Sequence, residues 1–358
     1  MKFEILLGLI ISTIYMLIIR RMSTKSISSI SNGINNVTNG AAHAATQKNP
    51  HPFPTYFVSH GGPTFMYEDD AFGNKGAWTF LKKLGTQIKK EWKPDYIIVV
   101  SAHWQSSGRK LVEVSVPKSG KENPLIYDFY GFPDHMYKEE FHTNNNLVVA
   151  QEIKQELEKG GFHSELTERG IDHGVWVPLK VAFLDYNTLS KEQPAVKGLD
   201  LPETSLIQVS LTGDEKDFDS HHKLGQVLSK FRENLIWDES QQRYLKGMVI
   251  CSGMSVHNLR DLSSFRVPGK VMPYTKLFNQ LLTKSIINTD NVLENLKSLQ
   301  TNHPKLLFLA HPTLEHFVPI VVASGIVDGK EEPIKELYND NVASLGWGIY
   351  QFGNNYSV

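Results

Sequence analysis

The chain has 358 residues, of which 41% are hydrophobic and 21% charged, and its formal net charge at pH 7 is -1. That length suits one large α/β domain or two small ones, and the balanced charge gives no drive toward nucleic acid as a main partner. A single cysteine, Cys251, excludes an internal disulfide framework and any cysteine-rich zinc site, so a metal site here must use mainly His, Asp, Glu and water.

Residues 5–19 are almost entirely apolar, interrupted by Gly8 and Ser12-Thr13, and Arg20-Arg21 follow at once. The run is short against the roughly 20 residues of a membrane span. It reads as a short membrane anchor, a signal-peptide core or a mitochondrial signal-anchor, with a buried N-terminal helix as the alternative. Arg20, Arg21 and Lys25 lie on its C-terminal flank. That favours a cytosolic domain anchored to the outer mitochondrial membrane or the endoplasmic reticulum, with a mitochondrial location as the alternative. Residues 22–50 are rich in Ser, Asn, Thr, Gly and Ala and read as a disordered linker. The chain thus divides into an anchor or targeting segment (1–21), a linker (22–50) and an ordered domain (51–358).

In that domain Thr55-Tyr56-Phe57-Val58 is a short apolar strand running into Ser59-His60. Residues 74–92 place Ala77, Phe80, Leu81, Leu84, Ile88 and Trp92 at helical spacing. Residues 95–100 are largely apolar and β-branched, as expected of a strand buried on both faces, and lead into Ser101-Ala102-His103. This is a β-α-β unit with a histidine past the C-terminal end of each strand, the edge where open parallel sheets bind ligands. Residues 145–159 read as a helix stopped by Gly160-Gly161, 206–211 as a strand and 219–236 as an amphipathic helix. Residues 247–252 read as a buried strand, 274–298 as one helix, 314–323 as an apolar helix and 341–352 as a last strand. The sum is an α/β fold, a single domain with a central mixed, mostly parallel sheet flanked by helices.

Four of the fourteen histidines sit in turn-flanked motifs: Ser59-His60-Gly61-Gly62-Pro63, Ser101-Ala102-His103-Trp104, Gly253-Met254-Ser255-Val256-His257-Asn258 and Pro312-Thr313-Leu314-Glu315-His316-Phe317. A lone histidine after a strand is more often structural than functional, but the joint pattern points to one transition-metal centre assembled by the fold. His173, in Ile171-Asp172-His173-Gly174, has an acidic neighbour and no strand feeding it. It reads as a loop residue reaching over a pocket as an acid/base or substrate-orienting group, or else as a loop histidine bonded to backbone. No Walker loop, dinucleotide fingerprint, nucleophile elbow or H-E-x-x-H motif is present.

Taken in order, the motifs His60-Gly61-Gly62-Pro63, Ser101-Ala102-His103-Trp104, Tyr127-Asp128-Phe129-Tyr130-Gly131-Phe132-Pro133, Asp172-His173-Gly174-Val175-Trp176-Val177-Pro178-Leu179, Ser252-Gly253-Met254-Ser255-Val256-His257-Asn258-Leu259 and Pro312-Thr313-Leu314-Glu315-His316-Phe317-Val318-Pro319 resemble the 4,5-DOPA extradiol dioxygenase group of the class III (LigB-type) ring-cleaving dioxygenases. The resemblance runs from about residue 54 to 353, with an insert around residues 185–203. It implies a single α/β domain that cleaves a catechol ring next to its two hydroxyls, inserting both atoms of O2. It also implies one divalent metal per chain, Zn2+ or Fe2+, held by His60, His103 and His316. His257 matches a position that is a metal contact in some relatives and an acid/base in others, and His173 matches a catalytic pocket histidine.

The chemistry is consistent with that set. A catecholate binds a metal through both oxygens while O2 takes a third position, so the protein supplies only about three ligands on one face. A further base takes a catechol proton, a role open to His257 or His173. Trp104, Phe129, Tyr130 and Trp176 are the candidates to line the ring pocket. Two other readings share these histidines: a zinc hydrolase-like enzyme that activates water, and a non-catalytic binding or signalling protein on the same fold.

Overall fold

The centre of the molecule is fixed by strands that are apolar on both faces. A computed structural model describes residues 47–184, 198–287 and 289–356. Its main sheet contains β1 (Thr55–Ser59), β2 (Tyr96–Gln105), β3 (Leu111–Val116), β4 (His163–Glu168), β5 (Ser205–Leu211), β6 (Gly247–Gly253), β7 (Ile334–Tyr338) and β8 (Ile349–Phe352). The spatial order is β7-β8-β1-β6-β2-β5-β3-β4. The four central strands β1, β6, β2 and β5 run parallel. The pair β3–β4 is also parallel and joins β5 antiparallel. At the other edge β8 is antiparallel to β1, and β7 to β8.

Because side chains alternate along a strand, each central strand feeds two cores. Ile97, Val99, Met248 and Ile250 pack on one face with helices α1 (Lys75–Gln87) and α3 (His173–Phe183). Tyr96, Ile98, Val100, Val249 and Cys251 pack on the other, with α2 (Leu147–Lys159), α4 (Phe218–Leu228), α5 (Pro273–Ile286) and α6 (Val318–Ile326). Three of these helices begin where a side chain satisfies an early N–H group: in α1 Asn74 accepts from Ala77 N, in α2 Asn146 from Val149 N and in α4 Asp217 from Ser220 N. Helices α4 and α6 approach so closely that a Cβ on Gly225 would lie 1.9 Å from Val322 O, and one on Gly325 would lie 1.9 Å from His222 O.

Several expectations are revised. Strands β3, β4 and β7 were not foreseen. The single helix expected over 274–298 is two, α5 and Val292–Asn302. The helix expected over 219–236 ends its main run at Leu228, and Asn234–Asp238 becomes a strand. Residues 341–352 form three short strands, Asn341–Val342, Leu345–Gly346 and β8. The linker expected over 22–50 does not extend to its end, because Gln47–Lys48 pairs with Leu235 and Asn234.

The membrane anchor expected at residues 5–19, and the membrane-attached localisation drawn from it, are corrected. Among the described residues no helix is long and apolar enough to cross a membrane. The run of residues 5–19 lies outside the described residues, and at about 15 residues it is shorter than a span requires. Residues 185–197, most of the expected insert, also lie outside them.

Candidate metal centre

The C-terminal ends of β1, β2 and β6 meet at one edge of the sheet. His60 follows β1 directly, and its N–H donates to Gly253 O at the end of β6 (2.9 Å). His103 lies within β2 rather than beyond it. His316 sits in the turn before α6, and its carbonyl accepts from Met254 N (2.9 Å). That docking needs a glycine, since a Cβ on Gly253 would lie 2.3 Å from His316 O. Gly61 combines a positive φ of 64° with a close approach to Trp347, so the position directly after His60 tolerates no side chain.

Three imidazoles converge. His103 Nε2 lies 3.1 Å from His60 Nε2 and 3.2 Å from His316 Nε2. The acceptors facing the opposite ring nitrogens favour the tautomer with the proton on Nδ1. Ser252 Oγ donates to Gly174 O, so at 3.0 Å it accepts from His60 Nδ1–H. His103 Nδ1 faces Asp128 Oδ2 (3.4 Å) and His316 Nδ1 faces Glu315 Oε1 (3.2 Å); carboxylates only accept. Each Nε2 therefore presents a lone pair, with no proton between neighbours about 3 Å apart. A cation relieves that repulsion. For an ion at about 2.0–2.1 Å in tetrahedral geometry the nitrogens would lie about 3.3 Å apart, close to what is seen. The cluster fits a divalent metal, and the Nδ1 partners match the orienting contacts usual for metal-bound histidine.

The electrostatics agree. Burial pushes His60, His257 and His316 well below the ordinary histidine value, and neighbouring imidazoles add to the effect. Burial, then His173, brings His103 down to about 4. These rings stay neutral at physiological pH, the form that binds metal.

His257 lies on the short strand Val256–His257, which pairs antiparallel with Leu345–Gly346. Its ring stacks on His316 at 3.6 Å and 15°. His257, Glu315 and His316 also form a group able to hold an ion. His173 is not on a loop; it is the first residue of α3, buried, with its ring centroid 4.0 Å from that of His103. With His60 and His103 it forms a second such group. Its Nδ1 lies 2.9 Å from Asp128 Oδ1. Burial pulls His173 down, but Asp128 outweighs it and raises the ring above its ordinary value. Burial likewise pulls Asp128 up, and His173 with His103 more than offsets this.

Of the four aromatic candidates, Phe129 meets His173 edge-on at 5.8 Å. Trp176 is fully buried and donates its indole N–H to Ile126 O (3.0 Å). Trp104 lies beneath the Arg169 guanidinium at 4.5 Å. Tyr130 is 37% exposed. Three contributors carried no separate signal in the sequence: Asp128, Ser252 and the buried carboxylate of Asp172. The last accepts from Ser101 Oγ (2.8 Å) and Gln208 Nε2 and pairs with Arg169 (3.2 Å). All three fall inside quoted motifs or beside them, the only hint available.

Comparison with known proteins places the chain in a family. Residues 54–350 match the family model described as the catalytic LigB subunit of aromatic ring-opening dioxygenase. A 4,5-DOPA dioxygenase extradiol-like protein of Schizosaccharomyces pombe is 32% identical over 309 residues, covering 82% of this chain and 91% of that one. The 4,5-DOPA dioxygenase extradiol of Beta vulgaris is 29% identical, covering 83% and 96%. That of Escherichia coli is 27% identical, covering 84% and 94%. A crystal structure of an uncharacterized Escherichia coli K12 protein superposes with a TM-score of 0.59 at 22% identity, covering 84% of this chain and 100% of that one, and supports the fold. The family match and these relatives define an oxidoreductase of the extradiol, aromatic ring-opening class. The chain belongs to the LigB family.

Proposed function

We propose that this protein is a metal-dependent dioxygenase that opens the ring of a small catechol, DOPA or a close relative, with O2. The observation that carries this reading is the convergence of the Nε2 atoms of His60, His103 and His316, 3.1 and 3.2 Å apart along the chain of contacts. These three residues would hold one divalent ion, Fe2+ for turnover, with Zn2+ as the competing occupant. When bound, Fe2+ would supply Lewis acidity toward the catechol oxygens and a redox path to O2, whereas Zn2+ would supply the Lewis acidity alone.

The remaining side chains divide the work. His173, with Nδ1 turned to Asp128, has Nε2 left to take and return a catechol proton. His257, stacked on His316, holds that ring in place and offers a second base. Phe129 presents an aromatic surface beside His173 on which a substrate ring can pack. Residues 51–358 form the catalytic unit.

The test is anaerobic loading of the full chain with Fe(II), followed by O2 uptake and absorbance with L-DOPA and simple catechols. Stoichiometric uptake with a yellow ring-opened product is the expected result. Bound Fe(II) without O2 uptake would refute the dioxygenase reading; tightly held Zn2+ with catechol-independent hydrolysis would replace it by water activation.

A further inference from the structure

We propose that Asp128 is a positioning residue shared by two histidines: one carboxylate sets the ring of His103 for metal binding and the ring of His173 for proton transfer. The inference rests on the metal-centre reading, in which Asp128 faces each ring separately, and adds that one carboxylate sets both.

The geometry is a bridge. Asp128 Oδ1 lies 2.9 Å from His173 Nδ1 and accepts from His173 N, also at 2.9 Å. Asp128 Oδ2 lies 3.4 Å from His103 Nδ1. Neither ring nitrogen is aligned for a full hydrogen bond, so the two imidazoles divide one carboxylate between them. With a carboxylate on the Nδ1 side, both rings carry their proton on Nδ1. His103 then turns a lone pair on Nε2 toward His60 and His316, and His173 keeps Nε2 as a proton acceptor.

The backbone around Asp128 is built to hold it. Ile171 N donates to Pro124 O and Ile126 N to Ile171 O, both at 2.9 Å, and the Trp176 indole donates to Ile126 O at 3.0 Å. A Cβ on Gly170 would lie 2.2 Å from Pro124 O, so the two segments are in backbone contact. The residues before Asp128 are thus tied to the start of α3, the element that carries His173. Asp172 cannot substitute, since its oxygens are occupied by Ser101, Gln208 and Arg169.

The test uses the full chain, stripped of metal. Nitrogen-15 NMR of the imidazoles at mildly alkaline pH should show His103 and His173 as Nδ1–H tautomers; an Nε2–H tautomer at His103 overturns the proposal without any variant. Asp128→Asn should then lose that tautomer preference and bind Zn2+ about 10- to 100-fold more weakly in competition with a chromophoric chelator. Wild-type Zn2+ affinity and unchanged tautomers in Asp128→Asn would sink the shared-carboxylate role alone. Absence of Zn2+ binding by the parent chain would instead sink the metal-centre reading, with the tautomers still deciding the bridge.

Discussion

Gly174→Ala separates the site from the fold. Gly174 is the second residue of α3, where alanine is the better helix former by about 1 kcal/mol. Its missing side chain is nevertheless required: a Cβ there would lie 2.6 Å from Ser101 Oγ and 2.7 Å from His103 Cδ2. To reach ordinary contact at 3.4 Å the imidazole must retreat by about 0.7 Å. Overpacking of this kind costs ~1–3 kcal/mol, partly offset by the helix gain, so stability should fall by no more than about 2 kcal/mol. The site fares worse, because a constellation must hold to about 0.5 Å and a 1 Å misplacement costs on the order of 100-fold. Metal affinity from chelator competition and O2 uptake should both drop by one to two orders of magnitude, while urea unfolding changes little. A variant that keeps metal affinity and turnover within threefold of the parent would refute the argument that β2 and α3 jointly fix the position of His103.

His60→Ala removes one of the three converging nitrogens, so equilibrium dialysis should show Zn2+ affinity down by more than ~100-fold; full occupancy would remove His60 from the site. Gly325→Ala sets a Cβ 1.9 Å from His222 O, and α4 and α6 must separate. Its urea midpoint should report a loss at the upper end of ~1–3 kcal/mol, and an unchanged midpoint would contradict the close crossing. Stability should also fall in acid. Burial brings His221 and His311 down to about 4, whereas unfolded histidines take a proton near 6.5. Between pH 6.5 and 4 the unfolded chain binds more protons, so stability is flat above that window and declines as pH drops through it. The two residues together contribute a loss of about 3 kcal/mol by pH 5.5; equal stability of the metal-free protein at pH 8 and 5.5 would count against their neutral burial.

What the sequence revealed follows from how strongly each segment was constrained. Strands β1, β2 and β6 are buried on both faces, so unbroken apolar runs announce them. Strands β3 and β4 lie toward one edge, are only partly buried and carry polar residues; β4 reads His163-Ser164-Glu165-Leu166-Thr167-Glu168, which has no clear period. Helix α3 was not foreseen, and His173 was read as a loop residue, because every residue of the helix is buried; a helix apolar all round shows no stripe, and Pro178 argues against one. The convergence of His60, His103 and His316 was legible because strand ends gather at one sheet edge. Asp128 was not, since its partner His173 is 45 positions away and nothing local ties them.

The order in which the site residues leave the ribosome has its own consequence. His103 and His316 touch across 213 positions of chain, and at 5–20 residues per second this separation takes roughly 10–40 s to synthesise. Through that interval His60 and His103 exist without their third partner. The sheet is incomplete as well, because β1, which leads into His60, acquires its outer neighbour only when β8 is made. On the proposed reading, loading of the ion would belong to the finished polypeptide, and a chain released early would carry an open strand edge, which invites mispairing rather than activity.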